Sequence, residues 1–107
     1  MPSKGRDQRD DTLRRIDAVL AKYRAEHPRA KAEAKRQNSA SIRVRVIDPD
    51  FAGTSKFDRH DAMQKYLDAL SAEDFNEVSM LLLLAPDEVK HSIANLEFEE
   101  PSRSPIW

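Results

Sequence analysis

At 107 residues and a net charge of −1, the chain has room for one compact core and not for two. Charged residues make up 35% of it against 39% hydrophobic, so folding requires the apolar side chains to be sorted onto definite faces. It contains no cysteine, which excludes disulfides, thiolate metal sites and a cysteine nucleophile and leaves His, Asp and Glu as metal donors. No segment approaches the roughly 18 apolar residues of a membrane helix, and the opening residues lack the apolar middle of a secretory signal. A cytoplasmic protein without membrane association is expected.

The near-neutral total hides a division. Residues 1 to 45 carry 13 Lys/Arg against 6 Asp/Glu, a balance of +7, while residues 46 to 107 carry 5 against 13, a balance of −8. A basic half attracts nucleic acid or an acidic partner, or is simply a solvated face.

In chain order, residues 1 to 10 are polar and without periodicity, and are expected to form a disordered leader ahead of a domain over residues 11 to 97. From Asp11 or Thr12 as a cap, Leu13, Ile16, Leu20 and Tyr23 recur at steps of three and four, which predicts an amphipathic helix ended near His27 by Pro28. Arg29 to Gln37 is divided by its own residues. Its composition favours helix, yet Ala30, Ala32 and Ala34 alternate with charged residues as in a strand. Gln37 to Ser41 carries turn chemistry, and Ile42, Val44 and Val46 alternate with Arg43 and Arg45 in a β-branched strand.

Asp48-Pro49-Asp50 stops that strand, and Phe51 to Ser55 forms a loop. Ser55 and Asp58 fit a capping pair for a second helix with Met63, Tyr66, Leu67 and Leu70 on its apolar face. Ser71 to Asp74 starts a further short helical turn. Met80 to Leu84 is an unbroken apolar run, which predicts a strand buried on both faces, inside the sheet or covered. Pro86, Asp87 and Glu88 open a last helix expected to turn Val89, Ile93 and Leu96 to one side as that cover. Residues 98 to 107 read as a tail, with Ile106-Trp107 at its end.

Within this frame, Phe51-Ala52-Gly53-Thr54-Ser55-Lys56-Phe57-Asp58-Arg59-His60 resembles the F-x-G-x-S-x-x-x-R-H signature of the BolA family, placed between a strand and a helix as in that family. Glu77 to Met80 and Ala85 to Glu88 are similar to the family's third strand and acidic helix start. The resemblance runs from about Thr12 to Val89. It implies an α+β domain of the type II K-homology-like fold, α-β-β-α-α-β, with a three-stranded mixed sheet and an additional C-terminal helix. It also resolves Arg29 to Gln37 as a strand.

Each signature position has a physical reading. Phe51 plugs the base of the loop, Gly53 permits a backbone angle closed to other residues, and Ser55 accepts hydrogen bonds from a helix start. Arg59 and His60 suit contacts with a partner or a metal. The resemblance implies a non-enzymatic adaptor with Phe51, Gly53, Ser55 and Arg59 at a partner surface, and with a monothiol glutaredoxin as partner. It implies no cofactor held alone but a bridging two-iron two-sulfur cluster shared with that partner. The family's usual cluster ligands are a His at the start of the third strand, here Asn76, and a His or Cys between the first two strands, with no counterpart from Glu33 to Ser41. His60 is the nearest remaining imidazole and the substitute metal ligand, while His27 and His91 read as surface residues.

The alternative is a nucleic-acid-binding transcriptional regulator using Lys31, Lys35, Arg36, Arg43 and Arg45 as a basic sheet face. No G-x-x-G loop supports it. An enzyme is not expected, because carboxylates near His60 come with no nucleophile or phosphate-binding loop. A monomer or weak dimer through a sheet edge completes the expectation.

Overall fold

The computed structural model describes residues 4–100, with side chains from Asp11 onward. Helix α1 spans Lys4–Glu26 and is followed by β1 (Lys31–Asn38) and β2 (Ser41–Ile47). A 3-10 turn at Pro49–Phe51 leads to α2 (Lys56–Leu67) and α3 (Ala72–Asn76), then β3 (Val78–Leu84). A second 3-10 segment, Pro86–His91, precedes α4 (Ile93–Glu99). The sheet order is β1-β2-β3, with β1 antiparallel to β2 and β2 parallel to β3. The domain is therefore α+β around a three-stranded mixed sheet. The tight turn between β1 and β2 enforces the antiparallel pair, and the α2–α3 crossover permits the parallel one.

Register sorts the side chains. Val44 and Val46 stand opposite Ala34 and Ala32 of β1 and opposite Leu81 and Leu83 of β3, so these residues share one face. Against that face lie Ile16, Leu20 and Tyr23 of α1 and Met63, Tyr66 and Leu67 of α2, all buried. Full burial of each large apolar side chain here contributes about 1.5–3 kcal/mol. The stripes at steps of three and four in the sequence are these core faces.

The local caps follow the sequence. Ser55 Oγ accepts from the Asp58 amide and Ser71 Oγ from the Asp74 amide, each satisfying one of the free N–H groups of a helix start. Two residues before Ser55, Gly53 adopts φ +78°, open to glycine and strained for other residues. Beyond its two chain neighbours, no atom lies within 4 Å of where its Cβ would sit. Gly53→Ala therefore meets no clash and is expected to cost about 1 kcal/mol from conformation alone. Urea denaturation checks this, and an unchanged midpoint would show that the loop relaxes out of the left-handed region.

Four expectations are corrected. Helix α1 begins at Lys4, so most of the expected leader is helical and the predicted cap at Asp11 or Thr12 lies inside the helix; residues 1 to 3 lie outside the described residues. Strand β3 is an edge strand and not an interior one, with Met80 and Leu82 half-buried on the face away from the core. The last helix is broken at Ser92, whose Oγ caps a new start by accepting from the Asn95 amide. This break resets the helical phase. Asn95 and Phe98 then point inward, and Ile93 and Leu96 are 83% and 66% exposed. Finally, α4 extends to Glu99, past the expected start of the tail; Ile106 and Trp107 lie outside the described residues.

Among the described residues, no helix is long and apolar enough to cross a membrane.

Candidate functional site

The signature loop is held from within by Arg59. Its side chain is 7% exposed, although its residue type and position suggested a partner-facing role. One guanidinium nitrogen, Nη1, donates to the Leu83 carbonyl at 3.0 Å and to Glu88 Oε1 at 2.7 Å. The other, Nη2, donates to the Phe51 carbonyl at 2.9 Å and to Glu88 Oε2 at 2.8 Å, while Nε reaches Thr54 Oγ1 at 3.1 Å. The planar fork thus ties the loop, the β3 edge and the segment after β3 together. Glu88 also accepts from the Ala85 amide at 3.0 Å. Its hydrogen bonds from Arg59, then that from Ala85, lower its carboxyl to a pKa of about 2.

Arg59 is therefore a structural clasp, and the expectation that it meets a partner is corrected. The same holds for Phe51, which is 4% exposed and plugs the loop base beneath the Arg59 guanidinium. Gly53 and Ser55 shape the loop, through a positive φ and a helix cap.

His60 differs. It is exposed, and its Nδ1 lies 3.0 Å from the Lys56 carbonyl one helical turn back. In a neutral imidazole the ring nitrogen beside a carbonyl oxygen carries the proton, and Nε2 is then the nitrogen with the lone pair. Backbone carbonyls orient metal-bound imidazoles in the same way. His60 lines a groove of about 990 Å³ that follows β3 from Leu81 to Leu84, with Lys56 on one bank and Lys90 and His91 on the other. Two of the three histidines thus meet one groove, and His91 belongs to it and not to a featureless surface.

The donors do not fit the family's way of holding a cluster. Asn76 ends α3 as an exposed amide, and the β1–β2 turn carries Ser39 and Ala40 where an imidazole or thiolate would be needed. No step is assigned to such a cluster.

The supposed basic face is also corrected. Lys31, Lys35, Arg43 and Arg45 share the face away from the core, but Arg36 stands opposite Ile42 on the other one, where it pairs with Glu77 at 3.0 Å. Helix α4 lies over Lys35, Arg43 and Arg45, while Lys31 stays exposed. Arg45 is buried between Glu33 and Glu99, with Asn95 Oδ1 at 2.7 Å from its Nη1. Arg43 donates to the Glu97 carbonyl at 3.0 Å, and Lys35 and Arg45 both sit on the Phe98 ring, at 4.7 and 4.5 Å. The acidic C-terminal half has folded back onto the basic N-terminal half. Charge separated along the sequence is not separated in space.

A second polar constellation lies where α1 ends and β2 stops. Tyr23 stacks on His27, with centroids 4.2 Å apart, and its hydroxyl donates to Asp48 Oδ2 at 2.5 Å. Burial of Tyr23, and then this hydrogen bond, raise its pKa. Tyr66 donates to Glu26, which with burial raises the phenol to about 12, and its oxygen lies 3.4 Å from His27 Nε2. The sequence reading placed His27 at the surface. It is instead partly buried among residues from three elements, and only the Tyr23–His27 spacing of one helical turn hinted at this.

Comparison with protein-family models, with curated proteins and with solved structures finds no match for this chain.

Proposed function

We propose that the chain is a non-enzymatic, BolA-like binding module of the cytoplasm, and that it pairs with a monothiol glutaredoxin through the groove beside β3. The observation that carries this reading is the pairing of a rigid signature loop with an exposed imidazole on an open groove. The Arg59–Glu88 clasp holds the loop against β3, and His60 Nε2 is left to meet a partner. The element order α-β-β-α-α-β and sheet order β1-β2-β3 accord with the type II K-homology-like fold that the signature implies. Binding to nucleic acid by the sheet face is disfavoured, because phosphate would have to displace Glu33, Glu99 and α4 from Arg43 and Arg45.

Calorimetric titration of the protein with a monothiol glutaredoxin tests the proposal, followed by anaerobic addition of iron, sulfide and glutathione. Saturable binding is expected, with His60→Ala weakening it about tenfold as truncation of an interface residue does. A visible spectrum altered by the same substitution would make His60 a substitute cluster ligand. Absence of binding by the wild-type protein would sink the glutaredoxin reading.

A further inference from the structure

The groove beside β3 leaves the His27 constellation unused, and its geometry asks for a cation. Asp48 is 1% exposed, and its hydrogen-bond donors are neutral: the Tyr23 hydroxyl and the Asp50 amide at 2.9 Å. A carboxylate so deep in protein is costly without a positive counterpart. The nearest candidate is His27, whose Nδ1 lies 3.7 Å from Asp48 Oδ2 and 3.9 Å from Asp50 Oδ2. Both separations exceed hydrogen-bond length. They lie close to the spacing of neighbouring ligands on one ion, since tetrahedral ligands about 2.0 Å from a metal stand about 3.3 Å apart.

The supporting contacts leave the same three atoms pointing inward. Arg29 takes Oδ1 of Asp50 at 3.1 Å and leaves Oδ2 turned to His27. Oδ2 of Asp48 has a second lone pair beyond the one used by Tyr23. Stacking on Tyr23 fixes the imidazole plane, and the Tyr66 oxygen, whose hydroxyl donates to Glu26, lies 3.4 Å from Nε2. An acceptor on that side favours the tautomer with its lone pair on Nδ1, as outer contacts do for metal-bound histidines. One donor atom from each of His27, Asp48 and Asp50 lies within 4.8 Å of the other two, beside a cavity of about 120 Å³ lined by these residues with Glu26, Pro28 and Arg29.

We propose that His27 Nδ1, Asp48 Oδ2 and Asp50 Oδ2 form a binding site for a divalent transition metal. One imidazole with two carboxylates is a donor set of intermediate softness, which matches zinc better than magnesium or calcium. Two carboxylates neutralise the ion, and the cavity leaves its outward position to water. The site joins the end of α1 to the stop of β2, immediately before the signature loop.

The full-length protein, stripped with chelator, is titrated with Zn²⁺ by calorimetry and with Co²⁺ by visible absorption. One ion per chain is expected, with His27→Gln and Asp50→Asn each weakening it at least about tenfold, the scale of losses at metal-site residues. Bound zinc is also expected to raise the melting temperature of the wild type. Asp50 is 61% exposed, so Asp50→Asn tests the site without disturbing the core. His60→Gln and His91→Gln are expected to leave binding unchanged. No saturable binding by the wild type, or binding that either His27→Gln or Asp50→Asn leaves intact, overturns the proposal.

Discussion

Replacing Arg59 with Ala is expected to destabilise the domain by about 2–4 kcal/mol, because it removes a charged donor from a buried carbonyl and from Glu88 together. The substitution takes the guanidinium from the buried Leu83 carbonyl and leaves Glu88 with the Ala85 amide, while the Phe51 carbonyl keeps its donors from Thr54. Lys is not a rescue, because a single ammonium lacks the planar fork that spans both carbonyls and the carboxylate. Urea denaturation of the wild type, Arg59→Ala and Arg59→Lys checks this. An Arg59→Ala midpoint within experimental error of the wild type would show that the clasp does not hold the loop.

The clasp also predicts an acid limb. Glu88 has a carboxyl pKa lowered from 4.5 to about 2 by its bonds to Arg59 and Ala85. A depressed carboxylate stabilises the fold fully above its unfolded pKa, and that stability is lost as pH falls through the folded one. The loss therefore falls between about pH 4.5 and about pH 2. Glu88→Gln is expected to flatten this limb in pH-dependent denaturation.

Phe98→Ala is the second large effect, expected to cost about 3–5 kcal/mol as aromatic truncations in cores do. Phe98 is wholly buried, and Lys35 and Arg45 lie over its ring. Removing it takes away the main apolar anchor of α4, whose Ile93 and Leu96 face solvent and offer no replacement. Amides of β1 and β2 should then exchange faster with solvent than those of α1. The uncovered Lys35, Arg43 and Arg45 should also raise salt-sensitive affinity for nucleic acid above that of the wild type. Unchanged exchange in the sheet would mean that the ion pairs of Arg45 alone hold α4 down.

How much was legible in the sequence differs by element. The stripe Ile16, Leu20, Tyr23 and the alternation Ile42, Val44, Val46 announced their buried faces, because local periodicity and burial agree there. The caps at Ser55 and Ser71 were equally readable, since a cap needs only residues three apart. Met80 to Leu84 misled, because an apolar run reports burial and not its source. The far face of that strand is half-sheltered while its outer edge borders the groove. The last helix misled for a different reason. A single cap at Ser92 outweighed a pattern that continued through it, and one changed phase moved Ile93 and Leu96 from the expected interior to the surface.

The sequence by itself determined the element order, the core stripes, the loop backbone at Gly53 and the absence of thiol chemistry, since each depends on residues near in the chain or on composition. Only the tertiary structure decided the meaning of the charged residues. Arg59 became a clasp because Glu88 and Leu83 arrive from the far side of β3, and the basic sheet face became a covered one because α4 returns over it. His27, Asp48 and Asp50 met for the same reason, brought together from the end of one helix and the stop of a strand. A charge's role depends on what lies within a few ångströms of it, and for these residues those neighbours are distant in sequence.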